Sequence, residues 1–178
     1  MNKNEQRKNS RKILGTLSET ERKNGSGIIF EKIISSEIFK KSKTIFIYVS
    51  TENEPDTLRL IDYAIESGKA VCVPKCVSKT EMKAVRIDSL NELSEGKFGI
   101  MEPTDTEKSV DKSEIDLAVI PCVAASNSRK RLGHGAGYYD RFLENMTTYK
   151  MCLCFKELVF EDIPTDEHDI LMDEIVSG

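Results

Sequence analysis

The chain has 178 residues and a formal net charge of −4. This length predicts one domain, residues 1–178, with a hydrophobic core that needs no metal or disulfide to hold it together. The composition, 39% hydrophobic and 31% charged, excludes long disorder, and the longest nearly apolar run, Leu117 to Ala125, is too short for a membrane helix of ~20 residues.

The charge is unevenly distributed, because residues 1–50 are basic on balance and residues 51–178 are acidic. The basic N-terminus predicts a helical segment at about residues 3–14 that serves as an anion site, a membrane-surface helix or an arm for nucleic acid. The negative overall charge disfavours nucleic acid, and no apolar stretch of a secretory signal follows the basic residues. The five cysteines favour a reducing cytoplasm, and we interpret most of them as small buried residues on strands.

Hydrophobic periodicity and turn residues predict alternating helices and strands. In chain order, the predicted elements are a helix over 3–14, a helix that begins after Ser18, a strand over 44–50, a helix capped by Thr57 that ends at Gly68, strands over 69–74 and 82–87, a short helix over 89–93, a polar connection over 95–112 with an extended piece around Phe98 and Ile100, a strand over 115–121, a loop over 122–137, a helix over 138–146, a strand over 149–155 and an acidic loop over 163–169. This alternation predicts a three-layer α/β fold in which helices flank a mostly parallel central sheet. Ligands of such folds bind beyond the carboxyl ends of the strands, which here are the loops 51–56, 122–137 and 156–169.

The segment from Arg131 to Arg141, RLGHGAGYYDR, is the strongest local feature. Three alternate glycines follow a predicted strand and open a predicted helix, an arrangement that lets backbone N–H groups approach a phosphate. Arg131 adds a positive charge, and Asp140 in the first helical turn could hold a magnesium ion. The spacing alone is equally consistent with a flexible turn and an acidic residue that complements the helix dipole, because it matches neither the P-loop nor the dinucleotide-binding fingerprint.

The same segment resembles the signature of the 5-formyltetrahydrofolate cyclo-ligase family, also called 5,10-methenyltetrahydrofolate synthetase, which reads approximately R-L-G-x-G-x-G-Y-Y-D. Other segments follow the order of the family along nearly the full chain. They are Lys3 and Arg7 with K-x3-R spacing, YVSTENEPDT at 48–57, GKFGIMEP at 96–103, the strand over 115–121, Phe155-Lys156-Glu157, Pro164 and His168-Asp169. The resemblance implies a fold of the NagB/RpiA/CoA-transferase-like type.

The resemblance also implies an ATP- and Mg²⁺-dependent cyclisation. ATP phosphorylates the formyl oxygen on N5 of 5-formyltetrahydrofolate, N10 attacks the activated carbon, and the products are 5,10-methenyltetrahydrofolate, ADP and phosphate. Phosphoryl transfer depends on positioning and charge neutralisation, so the chain needs no Ser-His-Asp or Cys-His set. The expected enzyme is a cytoplasmic monomer whose partners are ATP and 5-formyltetrahydrofolate, with or without a polyglutamate tail, and neither a membrane nor nucleic acid.

Individual roles follow from the family positions. The ATP-binding residues would be Lys3, Arg7, Arg131, Leu132, Gly133, His134, Gly135, Ala136, Gly137, Tyr138 and Tyr139. The folate-binding residues would be Val49, Glu54, His134, Gly135, Ala136, Gly137 and Tyr138. Arg131, His134 and Tyr138 would contact the reacting groups. Asp140 and Asp169 would hold Mg²⁺.

These roles have structural and functional alternatives. The residues with a purely structural alternative are Lys3 and Arg7 as a solvated basic stripe, Glu54 as a surface residue of a polar turn, Val49, Tyr138 and Tyr139 as core residues, and Asp169 as part of a solvated acidic face. The chain also departs from the family between Cys122 and Arg129, with Ala125 in place of an aromatic residue and Arg129 in place of a frequent glycine. An ATP-dependent ligase or kinase for a different small acid, and a non-catalytic folate- or RNA-binding relative, therefore stay open.

Overall fold

The computed structural model describes residues 1–96 and 99–178. The α-helices in this part of the chain are α1 (Lys3–Leu14), α2 (Glu19–Ser35), α3 (Glu37–Lys41), α4 (Leu58–Glu66) and α5 (Tyr138–Leu143). The strands are β1 (Thr44–Ile47), β2 (Ala70–Cys76), β3 (Met82–Ile87), β4 (Leu93–Glu95), β5 (Met101–Pro103), β6 (Ser109–Val110), β7 (Leu117–Pro121), β8 (Ala124–Ser126), β9 (Arg131–Leu132), β10 (Tyr149–Cys154), β11 (Val159–Phe160) and β12 (Glu174–Ser177). None of the described helices has both the length and the apolar character needed to cross a membrane.

The central sheet has seven strands in the order β12-β10-β7-β1-β2-β3-β6. The five strands from β12 to β2 are parallel, and β3 and β6 extend the sheet in antiparallel orientation. A second, small sheet has the order β11-β8-β9, and β4 pairs with β5. The predicted mostly parallel central sheet is therefore confirmed.

Each face of the central sheet carries its own hydrophobic cluster, because successive residues of a strand point to opposite faces. In β1, Ile45 and Ile47 pack on the face that is covered by α2, α3 and α4. Phe46 packs on the other face with Phe142 of α5 and with Leu17, which follows α1. Helices thus cover both faces, and the predicted three-layer α/β architecture is confirmed.

Four of the five cysteines are core residues. Cys72 lies on β2, Cys122 follows β7, and Cys152 and Cys154 lie on β10, all of them buried. Burial raises the pKa of Cys72 to about 12, which disfavours the reactive thiolate. The interpretation of most cysteines as small buried residues is confirmed.

Helix α2 begins as predicted, with a capping box between Ser18 and Glu21, but its two glycines have different surroundings. A Cβ built on Gly25 would lie 2.9 Å from the carbonyl oxygen of Gly178, whereas a Cβ on Gly27 would have no neighbour within 4 Å. The Gly178 carbonyl is held in place because it accepts a hydrogen bond from a backbone N–H of the chain after β10 (3.0 Å). Gly25 therefore allows the segment after β12 to approach the helix closely.

We expect Gly25→Ala to lower the free energy of unfolding by ~1–3 kcal/mol, because the added methyl group overpacks this contact. Gly27→Ala is the matched control, and we expect it to raise stability by ~0.5–1 kcal/mol because alanine is the better helix former. Urea unfolding of both variants, followed by circular dichroism, measures the two changes. Shifts of the same sign and size would contradict the packing role of Gly25.

Two predicted elements end earlier than expected, and one predicted cap is wrong. β1 stops at Ile47 rather than at residue 50, and α5 stops at Leu143 rather than at residue 146. Thr57 precedes α4 as predicted, but its side chain makes no capping hydrogen bond. Its Oγ1 instead donates to the carbonyl of Tyr48 (2.6 Å) and accepts from the N–H of Ser50 (3.0 Å). These two bonds hold the segment after β1 against the start of α4.

The two longest predicted connections are partly wrong. The predicted loop over 122–137 contains β8 and β9, and the predicted connection over 95–112 contains β5 and β6. Strand β12, at residues 174–177, was not predicted. These strands have only two to four residues each, which is too short for a hydrophobic period to be recognised. Phe98, the centre of the expected extended piece, lies outside the described residues.

Candidate active site

The predicted site residues lie at the edge of the central sheet where the parallel strands have their carboxyl ends. Glu54 lies in the loop after β1, the glycine loop (residues 133–137) follows β9 in the connection after β7, and the acidic loop (residues 163–169) follows β11. β1 and β7 are neighbours, but the chain leads from β1 to β2 on one side and from β7 to β10 on the other. Such a topological switch point is where α/β sheets form their binding crevices.

The glycine loop has a backbone that requires glycine and presents unused donors. Gly135 and Gly137 have φ angles of +107° and +70°, in the left-handed region that side chains disfavour. Within the described residues, none of the N–H groups of residues 133–137 donates to a backbone carbonyl. Consecutive N–H groups of this kind form a concave site for an anion such as phosphate. Helix α5 has only six residues, so these N–H groups rather than a long helix dipole would hold the anion.

Arg131 lies beneath the glycine loop, with a side chain that is 2% exposed. Its Nη1 donates to the carbonyl of Pro121 (3.2 Å) and its Nη2 to Oδ1 of Asp140 (2.8 Å). Its buried Nε has no hydrogen-bond partner among the described residues. A Cβ on Gly133 would lie 3.0 Å from Nη1, so this glycine lets the loop rest on the guanidinium group. The structure makes Arg131 a support of the loop and an anchor for Asp140, while its contact with phosphate stays a prediction.

Helix α1 brings two of the predicted phosphate-binding cations to this site. The Nε of Arg7 donates to the carbonyl of Gly133 in the glycine loop (2.8 Å). Lys3, one helical turn earlier, forms ion pairs with Asp166 (2.7 Å) and Asp169 (2.6 Å) of the acidic loop. Both cations line an open groove of about 590 Å³. They therefore face the site and are not merely a solvated stripe.

The acidic loop is ordered by its own hydrogen bonds and by Lys3. The N–H of Asp166 donates to Oδ2 of Asp169 (2.6 Å), and the N–H of Asp169 donates to the carbonyl of Asp166 (3.1 Å). Desolvation acts to lower the pKa of Lys3, but the hydrogen bonds and charges of the two aspartates together raise it above its usual value. Asp169 is only 18% exposed, whereas Asp166 is 72% exposed. Asp169 is thus a partly buried carboxylate beside the groove rather than a solvated one.

Glu54 presents one carboxylate oxygen to the glycine loop. Its Oε2 accepts from the backbone N–H (2.8 Å) and the hydroxyl (3.0 Å) of Thr51, whereas its Oε1 lies 3.3 Å from Nε2 of His134. Glu54 is 10% exposed and His134 is 60% exposed. Thr51 therefore orients the carboxylate, a role that sequence analysis missed although the polar turn contains the two residues three positions apart.

The turn that carries Glu54 packs against a buried tyrosine. The hydroxyl of Tyr48 donates to the carbonyl of Pro55, the residue after Glu54 (2.8 Å). Burial raises the pKa of the Tyr48 and Tyr139 hydroxyls, and the negative charge of Glu54 raises both further. Val49 is buried in the same core cluster as Tyr48. Its packing role is thus evident, while its contact with folate stays a prediction.

The turn between β2 and β3 closes against the start of α5. The hydroxyl of Tyr138 donates to the carbonyl of Ser78 (2.8 Å), and Nε of Arg141 donates to the carbonyl of Thr80 (2.8 Å). Nη2 of Arg141 also donates to the carbonyl of Ala136 in the glycine loop (2.8 Å). Arg141, to which sequence analysis assigned no role, therefore joins the glycine loop to this turn, and the substrate contact of Tyr138 stays a prediction.

The carboxylates of Asp140 and Asp169 fit the chemistry of Mg²⁺, which binds oxygen and needs only one or two protein carboxylates beside waters and phosphate. Arg131 uses Oδ1 of Asp140, and Oδ2 has no ion pair in the described part of the chain. Lys3 forms its ion pair with Oδ2 of Asp169, so Oδ1 of this carboxylate has no ion pair among the described residues. Residues 1–96 and 99–178 contain no group of three or more His, Cys, Asp or Glu that could hold a metal ion alone. A magnesium ion here would therefore depend on substrate phosphates for much of its coordination.

Two departures from the family pattern have a structural explanation. Arg129 has a φ angle of +66°, the left-handed conformation for which glycine is the usual residue. Its carbonyl accepts a hydrogen bond from the N–H of Met172 (3.0 Å), so the conformation is held by a neighbouring segment. Ala125 is fully buried on β8 and packs in the same cluster as Phe142. An aromatic side chain at this position, as in the family pattern, would thus lie in the packing between β8 and the core.

Comparison with known proteins confirms the resemblance seen in the glycine-rich segment. The model of the 5-formyltetrahydrofolate cyclo-ligase family matches residues 1–178. A probable 5-formyltetrahydrofolate cyclo-ligase of Caenorhabditis elegans is 34% identical over an alignment of 188 positions, which covers 98% of this chain and 91% of that protein. The 5-formyltetrahydrofolate cyclo-ligase of Mus musculus is 30% identical over 176 residues, which cover 92% of this chain and 87% of that protein.

Solved structures agree with this result. The NMR structure of Aquifex aeolicus 5,10-methenyltetrahydrofolate synthetase has a TM-score of 0.88 and 35% identity, over 99% of this chain and 89% of that chain. A 5,10-methenyltetrahydrofolate synthetase from Mycoplasma pneumoniae has a TM-score of 0.79 and 24% identity, which shows the shared fold. The chain belongs to the 5-formyltetrahydrofolate cyclo-ligase family and is a ligase of folate metabolism.

Proposed function

We propose that this enzyme closes 5-formyltetrahydrofolate to 5,10-methenyltetrahydrofolate with ATP as co-substrate and Mg²⁺ as cofactor. The ring closure is the reaction of the family to which the chain belongs, and the assignment of ATP, Mg²⁺ and individual residues is ours. The observation that carries this assignment is the glycine loop. Its unused N–H groups lie between a cation of α1, Arg7, and the carboxylate of Glu54.

The nucleotide would bind in the groove beside α1. Lys3 and Arg7 would neutralise the triphosphate, and the N–H groups of residues 133–137 would hold its oxygens. Both cations already have protein partners, so the phosphates would take over from the acidic loop and from the Gly133 carbonyl. Leu132, also predicted at this site, is buried on β9, so its backbone rather than its side chain would reach the nucleotide.

Mg²⁺ held by Asp140 and Asp169 would neutralise charge on the phosphoryl group during transfer. Asp140 is suited to this task because Arg131 holds one of its oxygens at 2.8 Å and leaves the other available. Arg131 would then act through Asp140 and through the loop that rests on it, rather than as an exposed phosphate ligand.

The pterin ring would bind beside Glu54. Oε1 of Glu54 would accept from the N–H donors of the pterin, because Oε2 already accepts two hydrogen bonds from Thr51. The buried ring of Tyr48 lowers the local dielectric constant, which strengthens such a hydrogen bond. Tyr138 would complete the pocket from the side of the glycine loop, where His134 lies against Glu54 before folate binds.

The reaction then depends on bringing two substrates together. The contact between His134 and Glu54 shows that the two loops touch, so the formyl group of a folate at Glu54 would face a triphosphate at the glycine loop. Transfer of the γ-phosphoryl group to the formyl oxygen turns that oxygen into a good leaving group. The lone pair of N10 attacks the formyl carbon, N10 gives up its proton, and the formyl oxygen leaves as hydrogen phosphate.

The proposal includes a monomeric enzyme that acts in the cytoplasm. The odd number of cysteines and the burial of four of them support a reducing compartment. Size-exclusion chromatography with light scattering tests the monomer, and a dimer mass would contradict it.

The test of the reaction is direct. Purified protein is mixed with 5-formyltetrahydrofolate, Mg²⁺ and ATP, and the near-ultraviolet absorbance of the methenyl product is followed. We expect a rise that needs both ATP and Mg²⁺. A rise without ATP would contradict the phosphorylation step. No rise in a protein that still binds ATP would favour the ATP-dependent ligase or kinase for a different acid.

A further inference from the structure

Two consecutive residues of the glycine loop contact groups that the proposed function assigns to different substrates. The carbonyl of Gly133 accepts from Arg7, a triphosphate-binding cation (2.8 Å). The imidazole of His134 lies 3.3 Å from Glu54, the pterin-binding carboxylate. The loop therefore bridges the two substrate sites.

The contact with Glu54 competes with folate. Oε2 of Glu54 already accepts two hydrogen bonds from Thr51, so Oε1 is the oxygen left for both His134 and the pterin. Glu54 is held by its own turn and is only 10% exposed, whereas His134 is 60% exposed. The group that moves is consequently His134 and not the carboxylate.

The loop is built to let His134 move. Gly133 and Gly135 flank it, and glycine, which lacks a Cβ, leaves the backbone more conformational freedom than other residues do. The N–H groups of the loop have no backbone acceptor within the described residues, and the exposed imidazole can leave Glu54 while the carbonyls of Gly133 and Ala136 keep their bonds to Arg7 and Arg141. A released imidazole remains next to Gly133, whose carbonyl accepts from Arg7, a cation that the proposed function assigns to the nucleotide.

We infer that His134 couples the two substrate sites: it occupies Glu54 in the empty enzyme, and folate releases it to the bound nucleotide. This inference rests on the proposed function. Folate then raises the affinity for MgATP, and by linkage MgATP raises the affinity for folate by the same factor. His134 is thus a coupling residue that favours binding of the second substrate once the first is present.

The experiment is a binding cycle without chemistry. Isothermal titration measures the affinity for a non-hydrolysable ATP analogue with Mg²⁺, with and without saturating 5-formyltetrahydrofolate. It also measures the affinity for 5-formyltetrahydrofolate, with and without the saturating analogue. We expect the affinity of the wild-type enzyme for the analogue to rise at least ~5-fold when folate is present, the low end of typical couplings. The two directions of the cycle must give the same factor.

Three variants separate coupling from simple contact. In His134→Ala we expect the coupling factor to fall to about 1, and folate affinity without nucleotide to stay the same or rise, because a competitor for Glu54 is gone. His134→Gln keeps a side-chain N–H donor, and we expect it to retain part of the coupling. Glu52→Ala removes an exposed carboxylate from the same turn and serves as the matched control with full coupling.

Each result decides between specific alternatives. A wild-type coupling factor near 1 with both ligands bound would overturn the inference and leave the proposed function intact. Lower folate affinity of His134→Ala without nucleotide would also overturn it, since His134 would then be a direct folate contact. Failure of either ligand to bind the wild-type enzyme would overturn the proposed function and this inference together.

Discussion

Asp140→Ala is expected to lower the free energy of unfolding by ~2–3 kcal/mol. The substitution leaves the guanidinium group of Arg131, which is 2% exposed, without its ion-pair partner. Removal of one member of a buried pair costs ~3–5 kcal/mol because the other charge stays buried, and the 27% exposure of Asp140 reduces that cost. The already unpaired Nε of Arg131 adds to the penalty, since the group has no other carboxylate in the described part of the chain. Chemical denaturation of the variant measures the change.

Asp162→Ala is the matched control for this prediction. Asp162 pairs with Lys130, the residue before Arg131, at nearly the same distance (2.7 Å), but the two side chains are 64% and 28% exposed. Surface pairs of this kind contribute at most ~1 kcal/mol, so we expect a loss of ~1 kcal/mol or less. Equal losses for both variants would contradict the buried character of the pair between Arg131 and Asp140.

Asp140→Asn separates stability from the proposed metal role. The amide keeps an oxygen that can accept from Nη2 of Arg131, so we expect a smaller loss of stability than with alanine. It removes the negative charge that would bind Mg²⁺, and we expect turnover to fall on the order of 100-fold. Initial rates over a range of Mg²⁺ concentrations, well below the melting temperature, measure this effect. A loss of turnover that only follows the loss of melting temperature would remove Asp140 from the metal site.

Glu54→Ala is expected to weaken binding of 5-formyltetrahydrofolate by ~10–100-fold, since a hydrogen bond to a charged group contributes ~1.5–3 kcal/mol. The carboxylate is held by Thr51 before folate arrives, so the wild-type enzyme loses little entropy when it forms this bond. Binding of MgATP alone is not expected to weaken, because Glu54 meets the glycine loop at His134 and its loss frees that side chain as folate binding would. Isothermal titration with each ligand separately measures both affinities.

Glu52→Ala serves as the control here as well, because it removes a carboxylate two residues away that is exposed. We expect its folate affinity to equal that of the wild-type enzyme. An unchanged folate affinity in Glu54→Ala would remove Glu54 from the pocket, and equal losses in both variants would indicate an effect of net charge alone.

Several features of the fold could be predicted because they depend on neighbouring residues. The capping box of Ser18 and Glu21 and the buried strand that begins at Thr44 are local patterns, and both are present. The second cap was predicted from the same kind of pattern and is wrong. Thr57 finds better partners in Tyr48 and Ser50, which the return of the chain after β1 brings next to it. Tertiary contacts thus override a local preference where the hydroxyl can bond elsewhere.

The candidate site shows the same difference between local and tertiary features. Its chemistry could be predicted because the glycines, Arg131 and Asp140 lie within one short segment and match a family signature. The hydrogen-bond and ion-pair partners of these groups could not be predicted. Arg131 is buried beneath the loop instead of exposed in it, and Arg129 adopts a left-handed conformation that a glycine usually fills.

The sequence by itself determined the α/β class, the family and the location of the glycine loop, because periodicity and motifs are properties of short segments. Only the tertiary structure decided which side chains meet: Lys3 with Asp169, and His134 with Glu54, 80 residues away. These pairings depend on the strand order, which places the loops after β1, β7 and β10 at one edge of the sheet. Burial and long-range ion pairing follow from that arrangement, and no local pattern encodes them.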